Sequence, residues 1–313
     1  MSLRIIFFGS PQFAVPSLEA LANDARLSVD LVVTQPDRRA GRGRELVAPP
    51  VKVAGESLGI PIWQPATLRS EEAHDRLRSM GADLFVVVAY GELLQRTVLT
   101  IPRDGCLNVH PSLLPRYRGS APIPSAILNG DRETGVSIIQ MVRRLDAGPI
   151  AAQQRISLDG TETGGSLSVT LADLAGRMLP DVVLDWSAGR IDARMQDEQL
   201  ATMTRELTKA DGEIDWHDDA GAIVRQIRAY QPWPTAWTTL NGKRIVIERV
   251  EHDQRRLDLP PGTIEFDQRA LVVACESGSL KLINVRPEGK NAMPAEAWFR
   301  GLRATEHPRF GVS

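Results

Sequence analysis

The chain has 313 residues, long for one core and sufficient for two domains, and its 42% hydrophobic and 24% charged content is that of an ordinary water-soluble globular protein. Its 37 Lys and Arg against 39 Asp and Glu leave a net charge of −2, which excludes a surface coated in positive charge for nucleic acid but leaves room for a local basic patch. Cys106 and Cys275, the two cysteines, exclude a disulfide framework and a thiolate zinc site, and no apolar run approaches the ~20 residues of a membrane span.

The first run, "LRIIFFG" (3–9), predicts a buried strand, and "FAVPSLEALAND" a helix after it. The opening "MSLRIIFFGSP" is too short an apolar stretch for a signal peptide, so a reducing cytoplasmic home is expected. "VDLVVT" (29–34) is the next strand, followed by a loop rich in Pro, Arg and Gly to about Pro50. Helices through "VKVAGESLG" and "SEEAHDRLRSM", the strand "DLFVVVA" (83–89), the strand "CLNVH" (106–110) and a helix near "PIPSAILNG" continue the alternation. Two strands around the turn "RRLDAG" and a long helix from Gly164 to Trp186 close this part. Continuous apolar runs interleaved with helices indicate an α/β domain, Rossmann-like, with a largely parallel sheet buried on both faces. The first βα turn, "FFGSPQFAVPS", lacks two of the glycines of the dinucleotide fingerprint, which disfavours a nicotinamide or flavin cofactor.

After about Ala188 the texture becomes polar and aperiodic. The expected organisation is a catalytic domain over 1–188, a linker over 189–206 and a C-terminal domain over 207–313. Beyond the helix "DDAGAIVRQIRAY", short strands with turn signals dominate, including the hairpin signal Asn241-Gly242, and predict an OB-like β-barrel. Trp233 and Trp237 in "YQPWPTAW" are expected to pack the junction between that helix and the first barrel strand.

Asn108 and His110 are one residue apart on a predicted strand, so their side chains share a face at the carboxyl end where ligands of open α/β sheets bind. Asn offers a neutral donor for a developing oxyanion, and His can donate, accept or carry charge near neutral pH. Taken alone the pair also fits a core His and Asn satisfied by backbone, and Asp146 in "RRLDAG" also fits a turn-former. Together they make an amide, an imidazole and a carboxylate with no nucleophilic Ser or Cys elbow. Such a set suits acyl transfer directly to an amine.

The stretch "NVHPSLLPRYRGSAPI" with the later "LDAG" resembles the folate-dependent formyltransferases. The resemblance implies Asn108, His110 and Asp146 as the catalytic set and 10-formyltetrahydrofolate as co-substrate. It places Ser112, Leu113, Leu114 and Pro115 on the folate side and requires no metal. "TQPDRRAGRGRELVAPPVK", "VVVAYGELL" and "IRAYQPWPTAW" are similar, in the same order, to the members whose acceptor is methionyl initiator tRNA. The resemblance implies a role in the initiation of translation, and a monomer is expected, although the sequence does not disclose the oligomeric state. Ala147, where the family often has Thr, and Pro111, where it often has a small residue, are mild departures.

Arg38, Arg39, Arg42 and Arg44 crowd one loop against only Asp37 and Glu45, with Gly41 and Gly43 permitting close backbone approach. Alone, this run also fits a solvated mobile loop. The resemblance implies instead that it contacts the tRNA acceptor end, with Arg42 leading. Residues 207–313 hold 15 Lys and Arg and 15 Asp and Glu, so any RNA face there depends on distribution. Two alternatives remain at this stage, a formyltransferase for a small or sugar amine and an inactive RNA-binding adaptor on a borrowed fold.

Overall fold

The computed structural model describes residues 2–40, 45–255, 257–267, 270–302 and 308–311. The chain divides into two compact units, the first formed by 1–122, 133–157 and 168–204, the second by 123–132, 158–167 and 205–313.

The strands of the first unit, in chain order, are β1 (Leu3–Gly9), β2 (Leu27–Val33), β3 (Arg38–Ala40), β4 (Glu45–Val47), β5 (Ile62–Trp63), β6 (Leu84–Val88), β7 (Cys106–His110), β8 (Arg118–Gly119), β9 (Glu133–Gln140), β10 (Ile150–Ser157) and β11 (Met203–Thr204). Seven of them form one sheet in the order β10-β9-β7-β6-β1-β2-β5. The pairs β1–β2, β1–β6, β2–β5 and β6–β7 are parallel, whereas β9 runs antiparallel to β7 and β10 to β9. The largely parallel sheet expected from the sequence is present, with an antiparallel edge beginning beside β7. Ile5, Ile6, Phe7 and Phe8 of β1 are all fully buried, as a central strand with both faces covered requires.

The helices α1 (Val15–Ala22), α2 (Pro50–Ser57), α3 (Glu71–Met80), α4 (Arg96–Leu99) and most of α6 (Gly164–Ser187) belong to this unit, whereas α5 (Pro122–Leu128) falls almost wholly in the second. Helix α3 is bounded at both ends: Ser70 accepts from the Ala73 amide, Glu71 and Glu72 occupy the first turn, and Gly81 in the left-handed region ends it. Its Ala73 and Leu77 then join Phe8, Val33, Phe85 and Val98 in one apolar layer.

The second unit contains α7 (Ala220–Ala229), capped by Asp219, then β12 (Trp237–Leu240), β13 (Lys243–Asp253), β14 (Ile264–Phe266), β15 (Leu271–Ala274), β16 (Ser279–Pro287), β17 (Met293–Pro294) and α8 (Ala295–Arg300). The strands form a curled antiparallel sheet ordered β12-β13-β16-β15-β14, a half-barrel, with β17 added to β16. Asn241 and Gly242 both have positive φ, as the sharp β12–β13 hairpin demands. Trp216 and Trp298 stack on Phe310 at 5.3 and 6.2 Å, closing the core against Ile223, Ile247, Leu271 and Leu280. Trp237 packs as expected, donating Nε1–H to the Lys209 carbonyl at 3.0 Å under the Arg244 guanidinium. Trp233 does not: it is 52% exposed.

Candidate active site

Strand β7 brings Asn108 and His110 to one face, with Asn108 paired to Val87 of β6 and Ile139 of β9, and His110 to Ser137. The chain then leaves the sheet at Pro111 and curls through residues 111–119. This loop is fixed by hydrogen bonds. Ser137 Oγ donates to the Ser112 carbonyl at 2.7 Å and accepts from the Leu114 amide at 3.1 Å. Gln153 Nε2 donates to the Leu114 carbonyl at 3.0 Å, and the Tyr117 amide donates to Thr202 Oγ1 at 2.8 Å. Ser112 and Leu114 are buried, the Ser112 hydroxyl donating to the Arg116 carbonyl at 2.6 Å, whereas Leu113 and Pro115 are half-buried. Of the four residues expected on the folate side, the fold itself therefore uses two side chains.

The His110 ring is buried, with Nε2 2.8 Å from the Tyr117 carbonyl. A carbonyl only accepts, so Nε2 carries the proton and, in the neutral ring, Nδ1 is bare. Nδ1 faces Asp146 Oδ2 at 3.7 Å. Burial pulls the His110 pKa below its ordinary 6.5, with the Asp146 charge and the Tyr117 carbonyl opposing that shift. The ring is thus neutral at pH 7, a base on the Nδ1 side. The Asn108 carboxamide is half-buried and has no hydrogen-bond partner among the described residues, leaving it open to a ligand.

Asp146 arrives from the turn between β9 and β10 with φ +49°. Its Oδ2 accepts the Gly119 N–H at 2.8 Å, so the carboxylate is held between the imidazole and a backbone donor. Two glycines make this possible. A Cβ on Gly148 would lie 1.7 Å from the Gln140 carbonyl, and Gly119 has φ +106° with no space beside the Thr204 carbonyl. The three residues that the sequence singled out are thus brought together within the first unit.

Sequence reasoning missed the surrounding network. Arg118 is 1% exposed and donates to Gln196 Oε1 at 3.0 and 2.8 Å and to both oxygens of Glu198 at 3.1 and 2.9 Å. Arg118 beside Glu198 holds that carboxyl below its usual range. Gln196, Glu198 and Thr202 lie in the segment 189–206, whose ladder pairs Met203 and Thr204 with Arg118 and Gly119. Arg118 lay in plain view within "RYRG", but its partners were some 80 residues away in a stretch without period. Both thiols are inert: burial pushes Cys106 and Cys275 up to about 12. Among the described residues no group of three or more His, Cys, Asp or Glu is placed to hold a metal ion.

The basic loop forms a two-stranded ladder, β3 with β4, pairing Arg38 with Val47 and Arg39 with Leu46. Arg38 and Arg39 are exposed, while Arg42 and Arg44 lie outside the described residues. At its root Asp37 accepts from Lys52 Nζ at 2.8 Å and Gln64 Nε2 at 2.7 Å, so its charge is already matched by Lys52. Leu46 and Val47 are exposed beside the arginines.

An α/β sheet carrying an amide and an imidazole at the end of β7, with a carboxylate facing the imidazole from the β9–β10 turn, in a chain with a second, β-rich unit, is the layout of an acyl-transferring enzyme. The formyl transferase family matches residues 3–183, and the formyl transferase C-terminal domain matches residues 206–303. The chain belongs to the formyl transferase family. It is 48% identical to the methionyl-tRNA formyltransferase of Roseiflexus castenholzii, over 99% of this chain and 100% of that one. It is 44% identical to the methionyl-tRNA formyltransferase of Methylococcus capsulatus, over 99% of this chain and 100% of the relative. Among solved structures, the N-formyltransferase of Helicobacter canadensis in complex with folinic acid and dTDP-3-aminofucose aligns with TM-score 0.68 at 15% identity, covering 90% of this chain and 99% of that one. That likeness is one of fold.

Proposed function

We propose that the protein transfers the formyl group from N10 of 10-formyltetrahydrofolate to the α-amino group of methionine esterified to initiator tRNA. The observation that carries the acceptor is the 48% identity to a methionyl-tRNA formyltransferase over nearly the whole of both chains. The fold alone does not choose, since an enzyme with an amino-sugar ligand shares it. The labour divides between catalysis in 1–188, with the segment 189–206 packed on it as far as Thr204, and tRNA contacts in 207–313 together with Arg38, Arg39, Arg42 and Arg44. A monomeric cytoplasmic enzyme fits this role, and no described helix is long and apolar enough to cross a membrane.

In this reading the free amine attacks the formyl carbon, forming a C–N bond and a tetrahedral oxyanion. The unpartnered Asn108 amide donates to that oxygen. His110 Nδ1, bare in the neutral ring, takes the proton released by the attacking nitrogen, and Asp146 stabilises and orients the imidazolium. The imidazolium is then the donor, returning the proton to N10 as the C–N10 bond breaks. Leu113, Pro115 and the backbone around Ser112 and Leu114 border the folate. The α-amino group, with a pKa of about 7.7–8, is partly neutral at pH 7 and needs no prior activation. The test is a side-by-side assay with charged initiator tRNA, an amino-sugar nucleotide and free methionine as acceptors. Formylation of the tRNA alone is expected, and preference for the sugar would reverse the reading.

A further inference from the structure

Gln196 is 9% exposed and lies in irregular chain just ahead of the short helical turn at Glu198–Leu200. Its Nε2 donates to the Asp146 carbonyl at 2.8 Å and to the Gly148 carbonyl at 2.7 Å. Its Oε1 accepts from Arg118 Nε at 3.0 Å and Nη2 at 2.8 Å. The carboxamide is therefore saturated, with two donors and two lone pairs all engaged. Both ends act on the same carboxylate. One grips the peptide of Asp146, and the other grips Arg118, whose neighbour Gly119 donates to Asp146 Oδ2 at 2.8 Å.

Asp146 needs such a restraint. Its φ of +49° is one that non-glycine residues adopt at a cost, and Val142, Arg143, Arg144 and Leu145 before it are all exposed. Up to Asp146 the turn is tied by the ion pair of Arg144 with Glu198 at 2.7 Å rather than by buried apolar side chains. A misplacement of about 1 Å at a reacting group costs on the order of 100-fold in rate.

We infer that Gln196 is a positioning residue for the transfer, fixing the Asp146 carboxylate at its distance from His110 Nδ1 while touching no substrate. The inference rests on the reading of Asp146 given above. Gln196→Glu has the same shape and keeps the acceptor facing Arg118, but sets an oxygen against two carbonyls and so drives the turn away. Gln196→Leu removes both grips without adding charge. Well below the unfolding temperature of each variant, kcat falls about 10- to 100-fold, while the KM for 10-formyltetrahydrofolate stays within about twofold. Should Gln196→Leu fail to fold, Gln196→Glu, which retains its bonds to Arg118, carries the measurement.

A double-mutant cycle with Asp146→Asn separates positioning from scaffolding. Acting through that carboxylate, Gln196→Glu removes less than about threefold more from an enzyme already carrying Asp146→Asn. A scaffold role would multiply the two losses. Wild-type kcat in the Gln196 variants, or a multiplicative cycle, overturns the inference and leaves the site reading intact provided that Asp146→Asn alone is crippled. Wild-type turnover in Asp146→Asn overturns the site reading, and the inference with it.

Discussion

Asp146 and His110 divide one task, and each can be tested by what it does to charge. Asp146→Asn preserves size and can still accept from Gly119, but removes the charge facing the imidazole. Turnover is expected to fall by ~100-fold or more with folate affinity little changed, measured by single-turnover kinetics beside equilibrium binding. Equal turnover in the two enzymes would remove Asp146 from the chemistry. His110 makes a second prediction, on stability. Because burial lowers its pKa in the folded state, the unfolded chain binds the proton more readily below pH 6.5. The contribution of the neutral ring is complete above pH 6.5 and is lost as pH falls from there towards the lowered folded value. Urea unfolding of wild type across pH 8 to 5 should show this slope, and His110→Gln should flatten it. These three side chains were legible because a strand places alternate residues on one face and a turn carboxylate stands out. Arg118 and Gln196 were not, since an arginine and a glutamine without their partners carry no signal.

The same limit governs elements. Strands β1 and β7 fall where the sequence places them, and β6 shows why: a strand buried on both faces writes itself as an unbroken hydrophobic word, LFVVV. The loop 111–119 and the segment 202–204 hold each other by pairing over some 85 residues, which no local period encodes. The turn that carries Asp146 illustrates how an element serves a site. Gly148 lets the chain pass against the Gln140 carbonyl, where a methyl group would sit at 1.7 Å. Gly148→Ala must therefore displace the turn, and with it Asp146. Expected are a loss of stability of about 1–3 kcal/mol and a fall in kcat beyond what unfolding explains. Gly242→Ala, strained at φ +71° in the β12–β13 hairpin of the other unit, is a matched control. It should cost about 1 kcal/mol and leave kcat unchanged. A kcat equal to wild type in Gly148→Ala would show that the turn tolerates the shift.

At the scale of the molecule the difficulty is charge. A chain of net charge −2, with 15 basic and 15 acidic residues in 207–313, offers a polyanion no general attraction. Affinity for tRNA must come from local imbalance, and the β3–β4 ladder supplies one: Asp37 at its root is matched by Lys52, while Arg38 and Arg39 are exposed with Glu45 as the ladder's one acid. Arg42 and Arg44, though outside the described residues, add to the same imbalance by sequence. Each arginine that neutralises a phosphate releases a counterion, so its loss lowers the slope of log K against log salt by at most about one unit. Ala variants of Arg38, Arg39, Arg42 and Arg44 should therefore weaken binding of charged tRNA and flatten its salt dependence, with Arg42→Ala the largest effect. Folate affinity should stay constant across the same series, because the proposed folate site lies at the sheet end rather than along the loop. An enzyme for small amines would show neither change, having no polyanionic arm to lose. Binding of tRNA and of 10-formyltetrahydrofolate by all four variants over a salt series measures both quantities at once. Unchanged tRNA affinity and slope in all four would strip the loop of its proposed contact and move the weight to a small or sugar amine as the acceptor.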